Sequence, residues 1–425
     1  MPSRGGAGRW GGAVRDDPDA AGGDLDWVSS LLWRGNLRAV RGSTPPAGHR
    51  PVERYLVLPA ATRARALVPL GAPRAAAAAV SSYPGLRPAR RRAARGALGL
   101  SARTGTLGLV ARDRLTVCAP DGAEPAGPDP DSLVAHLRDL LGEPELVVGV
   151  ALGTPGPNRK PVLQAATPDG RVLGFVKIGW NAITAEQVAA EAVALADYTT
   201  RPGETFDVPR LLAEGTWRDL RLSVASSLPA DVRRHAQPAL APPTRITREI
   251  AGRDGVTESP LLASPYWRRL TRRVDEVAAG DDRTGDVLAA YLGRVEERHG
   301  GAPLRWGAWH GDWAPWNVGW STGRLQVWDW EHTRGDVPLG LDLLHWFFQV
   351  AFVLERADVG AAIGSCAQRA AAGLRELGVD ARADVAIAAL YLTEIVLRFA
   401  EALRAGAGRN PRFFPAALDV LEARP

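Results

Sequence analysis

Residues 310–331 limit the folds open to this chain more than any other segment, because they join a polar loop to a β-hairpin. The loop reads HGDWAPWN, and the residues after it read VGWSTGRLQVWDWE. The apolar stretches VGW and LQVW flank STGR, which is typical of a turn. A hairpin carries the chain away and back, so the sequence predicts that Asp329 returns beside Asn317.

Asp312, Asn317 and Asp329 are residue types that suit phosphoryl transfer with Mg²⁺. In this interpretation Asp312 orients an attacking hydroxyl group and accepts its proton. The amide oxygen of Asn317 and the carboxylate of Asp329 bind magnesium, a hard cation that prefers oxygen ligands. The alternative is that these side chains only bond their own backbone in a turn, as Asp and Asn often do. Because all three residues occur around one hairpin, the sequence favours the catalytic interpretation.

The second feature is the use of lysine. Lys160 and Lys177 are the only lysines in the chain, and every other basic side chain apart from histidine is arginine. A lysine in such a chain indicates a site that needs an ammonium group. Lys177 lies in the predicted strand FVKIG, and the next helix, predicted to begin at Thr184 with a TAEQ capping box, places Glu191 on its apolar face. A buried carboxylate needs a partner, which predicts a Lys177–Glu191 pair. The alternative is a surface pair that involves Glu186 or a solvated Glu191.

HGDWAPWN followed by VWDWE resembles the catalytic segments of the aminoglycoside phosphotransferase and choline kinase-like family, and the resemblance covers roughly residues 132–420. It implies an α+β, protein-kinase-like bilobal fold with a small β-rich lobe and a helical lobe. By this resemblance Asp312 is the catalytic base, and Asn317 and Asp329 are the magnesium ligands.

The same resemblance implies a site for ATP or GTP. Lys177 would contact the α- and β-phosphates, with Glu191 as its partner. The stretch LRLSVASS resembles the strand whose backbone meets the nucleobase, at Ala225 and Ser226.

The chain departs from the family in the loop expected to cover the phosphates, which reads GTPGPNRK. Pro155 and Pro157 lack the N–H groups that would bind phosphate. Side chains of Asn158, Arg159 or Lys160 would compensate, or else the loop only caps a hairpin.

Tryptophans surround the catalytic segment, with Trp309, Trp313 and Trp316 closest to it. Most are expected to pack in the core, and the alternative is that Trp313 or Trp316 stacks on the acceptor. His310 is expected to support the loop through the backbone.

The function predicted from these residues is transfer of the γ-phosphoryl group of ATP or GTP to a hydroxyl group of a small molecule. The alternative is a kinase-fold protein that binds a ligand or partner without turnover. The sequence does not identify the acceptor.

The predicted organisation has five parts. They are a disordered N terminus at 1–23, an accessory α/β domain at 24–120, a linker at 121–131, a β-rich lobe at 132–230 and a helical lobe at 231–425. A protein partner that binds through 24–120 is one role considered for the accessory domain.

Composition excludes several other classes. The net charge of +5 and the pI near 9.6 come mostly from scattered arginines, so nucleic acid is not an expected partner. The apolar run LLHWFFQVAFVL is too short to span a membrane and is expected to form a buried helix. Cys118 and Cys366 lie too far apart in sequence to suggest a disulfide framework. The first residues lack the apolar stretch of a secretory signal, which predicts a cytoplasmic protein.

Overall fold

The computed structural model describes residues 23–83, 86, 89–122, 131–153, 159–234, 241–280, 283–405 and 412–424. The predicted disorder before residue 23, most of the predicted linker, and Pro155, Pro157 and Asn158 lie outside the described residues.

The described residues form helices and strands along the whole chain. The helices are α1 Gly23–Leu32, α2 Pro73–Ser81, α3 Ala89–Arg103, α4 Leu107–Val110, α5 Leu133–Leu141, α6 Ala182–Thr200, α7 Thr244–Ala251, α8 Pro265–Ala278, α9 Arg283–His299, α10 Leu341–Gln349, α11 Val359–Glu376, α12 Asp384–Arg404 and α13 Ala416–Ala423. The strands are β1 Arg38–Arg41, β2 His49–Leu58, β3 Ala66–Pro69, β4 Arg114–Pro120, β5 Val147–Ala151, β6 Val162–Ala166, β7 Val172–Gly179, β8 Phe206–Asp207, β9 Leu211–Trp217, β10 Leu220–Ala225, β11 Arg233–Arg234, β12 Thr257–Pro260, β13 Pro303–Trp309, β14 Val318–Ser321, β15 Arg324–Val327 and β16 Arg334–Pro338.

The chain divides into two compact units. The first contains residues 1–80, 98–152 and 163–172, and the second contains 81–97, 153–162 and 173–425. The first unit therefore includes residues on both sides of the segment 121–131. The five-part division of the chain stays a prediction.

In the first unit, strands lie in the order β1-β4-β2-β3-β5-β6. The predicted strands ERYLVLP, RALVPLG and LTVCAP are present as parts of β2, β3 and β4, and the predicted helices are present as α2 and α3. Leu56 and Val68 from the sheet pack with Ala76, Ala102 and Leu107 from the helices in one apolar cluster. Burial of these apolar side chains stabilises the unit.

In the second unit, β7, β10 and β9 are neighbouring antiparallel strands. Arg218, with a φ of 55°, lies in the predicted TWRD turn between β9 and β10. The predicted DG turn, which belongs to the first unit and precedes β7, is also formed, since the Gly170 N–H donates to the Thr167 oxygen at 2.9 Å.

The helix that carries Glu191 begins two residues earlier than predicted. The N-cap of α6 is Asn181, whose side chain accepts from the Thr184 N–H at 2.8 Å. Thr184 in turn accepts from the Asn181 N–H at 3.1 Å. The predicted cap at Thr184 is therefore wrong, because its hydroxyl completes a capping box opened by Asn181.

Helices dominate the rest of the second unit. Residues from α8, α9, α10, α11, α12 and α13 form one apolar cluster. The predicted buried helix LLHWFFQVAFVL is present as α10 and a π-helical turn at Val350–Leu354. The prediction missed a three-stranded sheet in the order β12-β13-β16, since the strand sequences TESP and RGDVP lack apolar alternation. The predicted combination of sheets and helices is confirmed.

The predicted hairpin in 318–329 is present as β14 and β15. Ser321 pairs with Arg324, and Val318 pairs with Val327. The two residues between them, Thr322 and Gly323, have φ values of 48° and 81°, which is the two-residue turn that fits twisted antiparallel strands.

No helix among the described residues is long and apolar enough to cross a membrane. The predicted cytoplasmic location stays a prediction.

Candidate active site

The loop that carries Asp312 follows β13 and is held by α10. At its start, Gly311 has a φ of 81°, and a Cβ atom there would come within 2.2 Å of the carbonyl oxygen of His332. Asp342 of α10 accepts the backbone N–H groups of His310 at 2.7 Å and Gly311 at 3.0 Å. Only glycine fits at 311, and the buried carboxylate of Asp342 satisfies two N–H groups that would otherwise lack partners.

The carboxylate of Asp312 is held by two neutral groups. Its Oδ1 atom lies 3.1 Å from Nε2 of His345, and its Oδ2 atom accepts from the side-chain amide of Asn317 at 2.8 Å. Burial raises the pKa of Asp312, but the hydrogen bond with His345 opposes this effect, and the net pKa lies well below the usual range. Asp312 is therefore ionised at neutral pH and is a weak base before reaction.

His345 was missed by the sequence reasoning. It lies in α10, fully buried, and its Nδ1 atom is 3.1 Å from the hydroxyl of Tyr391 in α12. Burial lowers the pKa of His345, although Asp312 opposes this effect. A neutral imidazole that accepts from Tyr391 at Nδ1 has its proton on Nε2, where it can donate to Asp312.

His310 supports the loop, as expected. Its Nε2 atom lies 3.1 Å from the carbonyl oxygen of Trp328, and its Nδ1 atom accepts from the N–H of Asp312 at 3.2 Å. Burial lowers the pKa of His310 to about 4. A neutral His310 thus joins the loop to the end of β15.

Asn317 connects Asp312 with the segment that carries Asp329. The backbone oxygen of Asn317 accepts from the N–H of Trp328 at 3.2 Å, so the residue before Asp329 is bonded to Asn317. The side-chain amide nitrogen of Asn317 donates to the backbone oxygen and Oδ2 of Asp312, both at 2.8 Å. These bonds leave the amide oxygen as the remaining acceptor. Asp329 has a φ of 70°, a conformation uncommon for residues other than glycine.

Asn317 and Asp329 fit a magnesium ion by donor type. Both offer oxygen atoms, which Mg²⁺ prefers, and the ion usually takes its other ligands from water and substrate phosphates. In the part of the chain that the structure describes, no group of three or more His, Cys, Asp or Glu side chains is arranged to hold a metal.

Lys177 is at the centre of a buried charge network. Its ammonium group lies 2.8 Å from Glu191 Oε2, 2.6 Å from Asp329 Oδ1 and 3.5 Å from Glu331 Oε2. The predicted Lys177–Glu191 contact is therefore present, and the alternative partner Glu186 instead pairs with Arg334 at 2.9 Å. The structure brings together Lys177, Glu191 and Asp329, which are far apart in sequence.

The pKa values in this network follow from burial and charge. Burial alone would lower the pKa of Lys177, but Asp329, Glu191 and Glu331 raise it well above its ordinary value. Burial raises the pKa of Glu191, which Lys177 partly opposes. Burial also raises the pKa of Glu331, but Lys177 and Lys160 outweigh it and the net pKa is lowered.

Lys160 joins the same network. Its ammonium group lies 3.0 Å from Glu331 Oε2 and donates to the side-chain oxygen of Gln187 in α6. Both lysines of the chain thus contact one carboxylate oxygen. The sequence did not predict that Glu331 and Gln187 contact Lys160. The only signal was that the chain has just two lysines and that they lie close together in sequence.

The two residues predicted to meet the nucleobase, Ala225 and Ser226, lie at the C-terminal end of β10. Ala225 pairs with Phe175, which lies two residues from Lys177 on the same face of β7. The N–H of Ser226 donates to the Arg210 oxygen at 2.8 Å, so it is already used within the protein. The contribution of Ala225 and Ser226 to nucleotide binding stays a prediction.

Tyr83 is a further aromatic residue at this end of β10. Its hydroxyl accepts from the N–H of Leu228 at 2.9 Å, and its ring centroid is 5.5 Å from that of Phe175. Nothing in the sequence around Tyr83 indicated this position.

The tryptophans mostly pack in the core. Trp313 is fully buried against Trp346, so its predicted core role is confirmed and it cannot stack on an acceptor. Trp316 is only half-buried. Arg398 of α12 lies over the ring of Trp309 and donates to the carbonyl oxygen of Gly311 at 2.8 Å, a support that the sequence did not suggest.

No protein-family model and no curated protein matches this chain. Among solved structures, choline kinase LicA from Streptococcus pneumoniae is 12% identical over 68% of this chain and 97% of its own, with a TM-score of 0.45. The amicoumacin kinase hAmiN, solved with AMP-PNP, Ca²⁺ and Ami, is 11% identical over 64% and 85%, with a TM-score of 0.42. Aminoglycoside phosphotransferase APH(4)-Ia is 15% identical over 64% and 98%, with a TM-score of 0.41. The predicted resemblance to these phosphotransferases is confirmed at low identity, so the functional argument depends on the contacts within the site.

Proposed function

We propose that the chain is a phosphotransferase that moves the γ-phosphoryl group of ATP or GTP to a hydroxyl group of a small molecule. The observation that carries this proposal is that hydrogen bonds and an ion pair connect Asp312 with the charge network around Lys177. Asn317 bonds to the carboxylate of Asp312 on one side and to the backbone next to Asp329 on the other. Asp329 in turn contacts Lys177.

In the proposed reaction, Asp312 receives a hydrogen bond from the acceptor hydroxyl and orients its oxygen toward the γ-phosphorus. A new bond forms between that oxygen and phosphorus, and the bond from phosphorus to the β–γ bridging oxygen breaks. The electron pair stays on the leaving nucleoside diphosphate, and the proton passes to Asp312. Because the pKa of Asp312 is lowered, this transfer is expected late, when the acceptor oxygen has lost most of its basicity.

The charge network would serve the nucleotide. Lys177 would contact phosphate oxygens, with Glu191 holding it in place. Asn317 and Asp329 would hold Mg²⁺ through oxygen atoms. When bound, Mg²⁺ neutralises negative charge on the phosphates. Catalysis then depends on positioning and electrostatic stabilisation.

The first test is a thermal-shift titration with ATP and GTP, with and without Mg²⁺. A nucleotide at about 100 times its dissociation constant should stabilise the folded protein by about 2.7 kcal/mol, which raises the melting temperature. The rise should require Mg²⁺ and vanish in Asp329→Ala. Asp254→Ala is the matched control, since Asp254 is an exposed carboxylate paired with Arg201.

Asp312→Ala separates binding from chemistry. We expect this variant to keep the magnesium-dependent shift but to lose nucleotide-dependent phosphorylation of acceptors found in a screen of hydroxyl compounds. If neither nucleotide shifts the wild-type melting temperature, the phosphotransferase proposal is wrong.

A further inference from the structure

The backbone at Lys160 is held in place by contacts with neighbouring residues. It lies at the end of the loop that starts at Gly153, where a Cβ atom would come within 2.9 Å of the Lys160 carbonyl oxygen. The indole N–H of Trp180 donates to the carbonyl oxygen of the neighbouring Arg159 at 2.6 Å. The two ends of the loop therefore lie against each other, and Lys160 leaves the loop at a defined point.

The side chain of Lys160 is directed into the charge network. It is only 8% exposed, and its ammonium group contacts Glu331 and Gln187. Burial of an ammonium group is costly unless it has charged or hydrogen-bonding partners. An exposed arginine would serve a surface role equally well in this chain, so a buried lysine indicates a specific use.

Charge balance indicates what that use is. Around the two ammonium groups lie three carboxylates, those of Glu191, Asp329 and Glu331. A triphosphate adds further negative charge, so every cation that can reach it becomes important. Lys160 can leave Glu331 without leaving that carboxylate unpaired, because Lys177 lies 3.5 Å from the same oxygen.

We propose that Lys160 is a second phosphate-binding lysine, which exchanges Glu331 for a phosphate oxygen when the nucleotide binds. This inference rests on the proposed function. It also accounts for the loop sequence, because Pro155 and Pro157 have no N–H groups to offer phosphate and an ammonium group replaces them.

The test measures binding by calorimetry in the presence of Mg²⁺ for ATP and inorganic tripolyphosphate, and by competition for adenosine. Lys160→Met should weaken the binding of both phosphate compounds by about tenfold to a hundredfold, the range expected for a hydrogen bond to a charged group. Adenosine, which has no phosphate, should bind as it does to the wild type. Lys160→Arg keeps the charge and should recover part of the affinity, and it replaces Lys160→Met if that variant does not fold.

A purely structural role, in which Lys160 only holds Glu331, gives a different result. The effect of Lys160→Met would then disappear in a Glu331→Gln background, whereas direct phosphate contact requires that it persists there. Arg334→Met is the matched control, since it removes an exposed cation that pairs with Glu186 and should not change binding.

The possible failures are distinguishable. If the wild type binds no nucleotide, the proposed function is wrong. If the wild type binds ATP and Lys160→Met binds it equally well, or if ATP and adenosine lose affinity equally, the proposed function stands and Lys160 is not a phosphate ligand.

Discussion

The Lys177→Met variant tests the buried charge network without any substrate. In the folded protein the ammonium group of Lys177 lies within 3.5 Å of Glu191, Asp329 and Glu331. Methionine keeps an unbranched side chain, one atom shorter than that of lysine, and removes the charge. Glu331 retains Lys160 as a partner, but Glu191 loses its cation while its side chain stays only 6% exposed.

The expected loss of stability follows from that uncompensated carboxylate. Removal of one partner from a buried ion pair typically costs about 3–5 kcal/mol. Glu191 can reduce the cost by taking up a proton, because burial already raises its pKa and loss of Lys177 raises it further. A carboxyl pKa raised in the folded state favours folding below the unfolded value, near 4.3, and this contribution is lost as the pH rises through the folded value. Lys177→Met should therefore be less destabilised at pH 5 than at pH 8.

The assay is urea unfolding followed by tryptophan fluorescence at both pH values. Arg334→Met is the control, because its exposed ion pair with Glu186 should contribute no more than about 1 kcal/mol at either pH. The double variant Lys177→Met/Glu191→Gln should recover part of the loss at pH 8, since no unpaired charge remains at 191. Equal destabilisation at pH 5 and pH 8, with no recovery in the double variant, would refute the argument.

Two further predictions concern the supports of Asp312. Asp342→Ala leaves the buried N–H groups of His310 and Gly311 without an acceptor, which should cost about 1–3 kcal/mol for each group in urea unfolding. Burial raises the pKa of Asp342 to about 7, so wild-type stability should include a contribution that declines as the pH rises from the unfolded value through 7, and the variant should lack it. His345→Leu removes the main group that lowers the pKa of Asp312, so an acidic limb should appear in the pH profile of kcat, whereas His345→Gln, which keeps an N–H donor, should show less of it.

The contacts that the sequence predicted are those between residues joined by short, regular segments of the chain. Asp312, Asn317 and Asp329 are joined by one loop and one hairpin, and the hairpin has the predicted turn. The Lys177–Glu191 contact was predictable because a strand followed directly by a helix brings few other pairs together. The role of each of these residues in catalysis stays a prediction until turnover is measured.

The missed residues come from distant helices and look ordinary in sequence. His345 lies in LDLLHWFF, where a histidine among buried apolar residues has no signal of its own, and Arg398 is one of many arginines. Their function depends on how α10 and α12 pack against the loop, which is a long-range property. The cap at Asn181 was missed for a local reason, because Asn and Thr three residues apart offer two registers for the same capping box.

The distribution of charge within the site separates two tasks. Asp312 is held by neutral donors, His345 and Asn317, which fix its position and leave its negative charge to act on a hydroxyl group. Asp329 and Glu331 are instead held by lysines, which cancel their charge until other ions arrive. In the proposed function Lys177 turns from Asp329 to a phosphate chain, and a cation then has to replace it at that carboxylate. The proposed function therefore predicts joint binding of magnesium and nucleotide, since nucleotide alone would leave Asp329 without a cation.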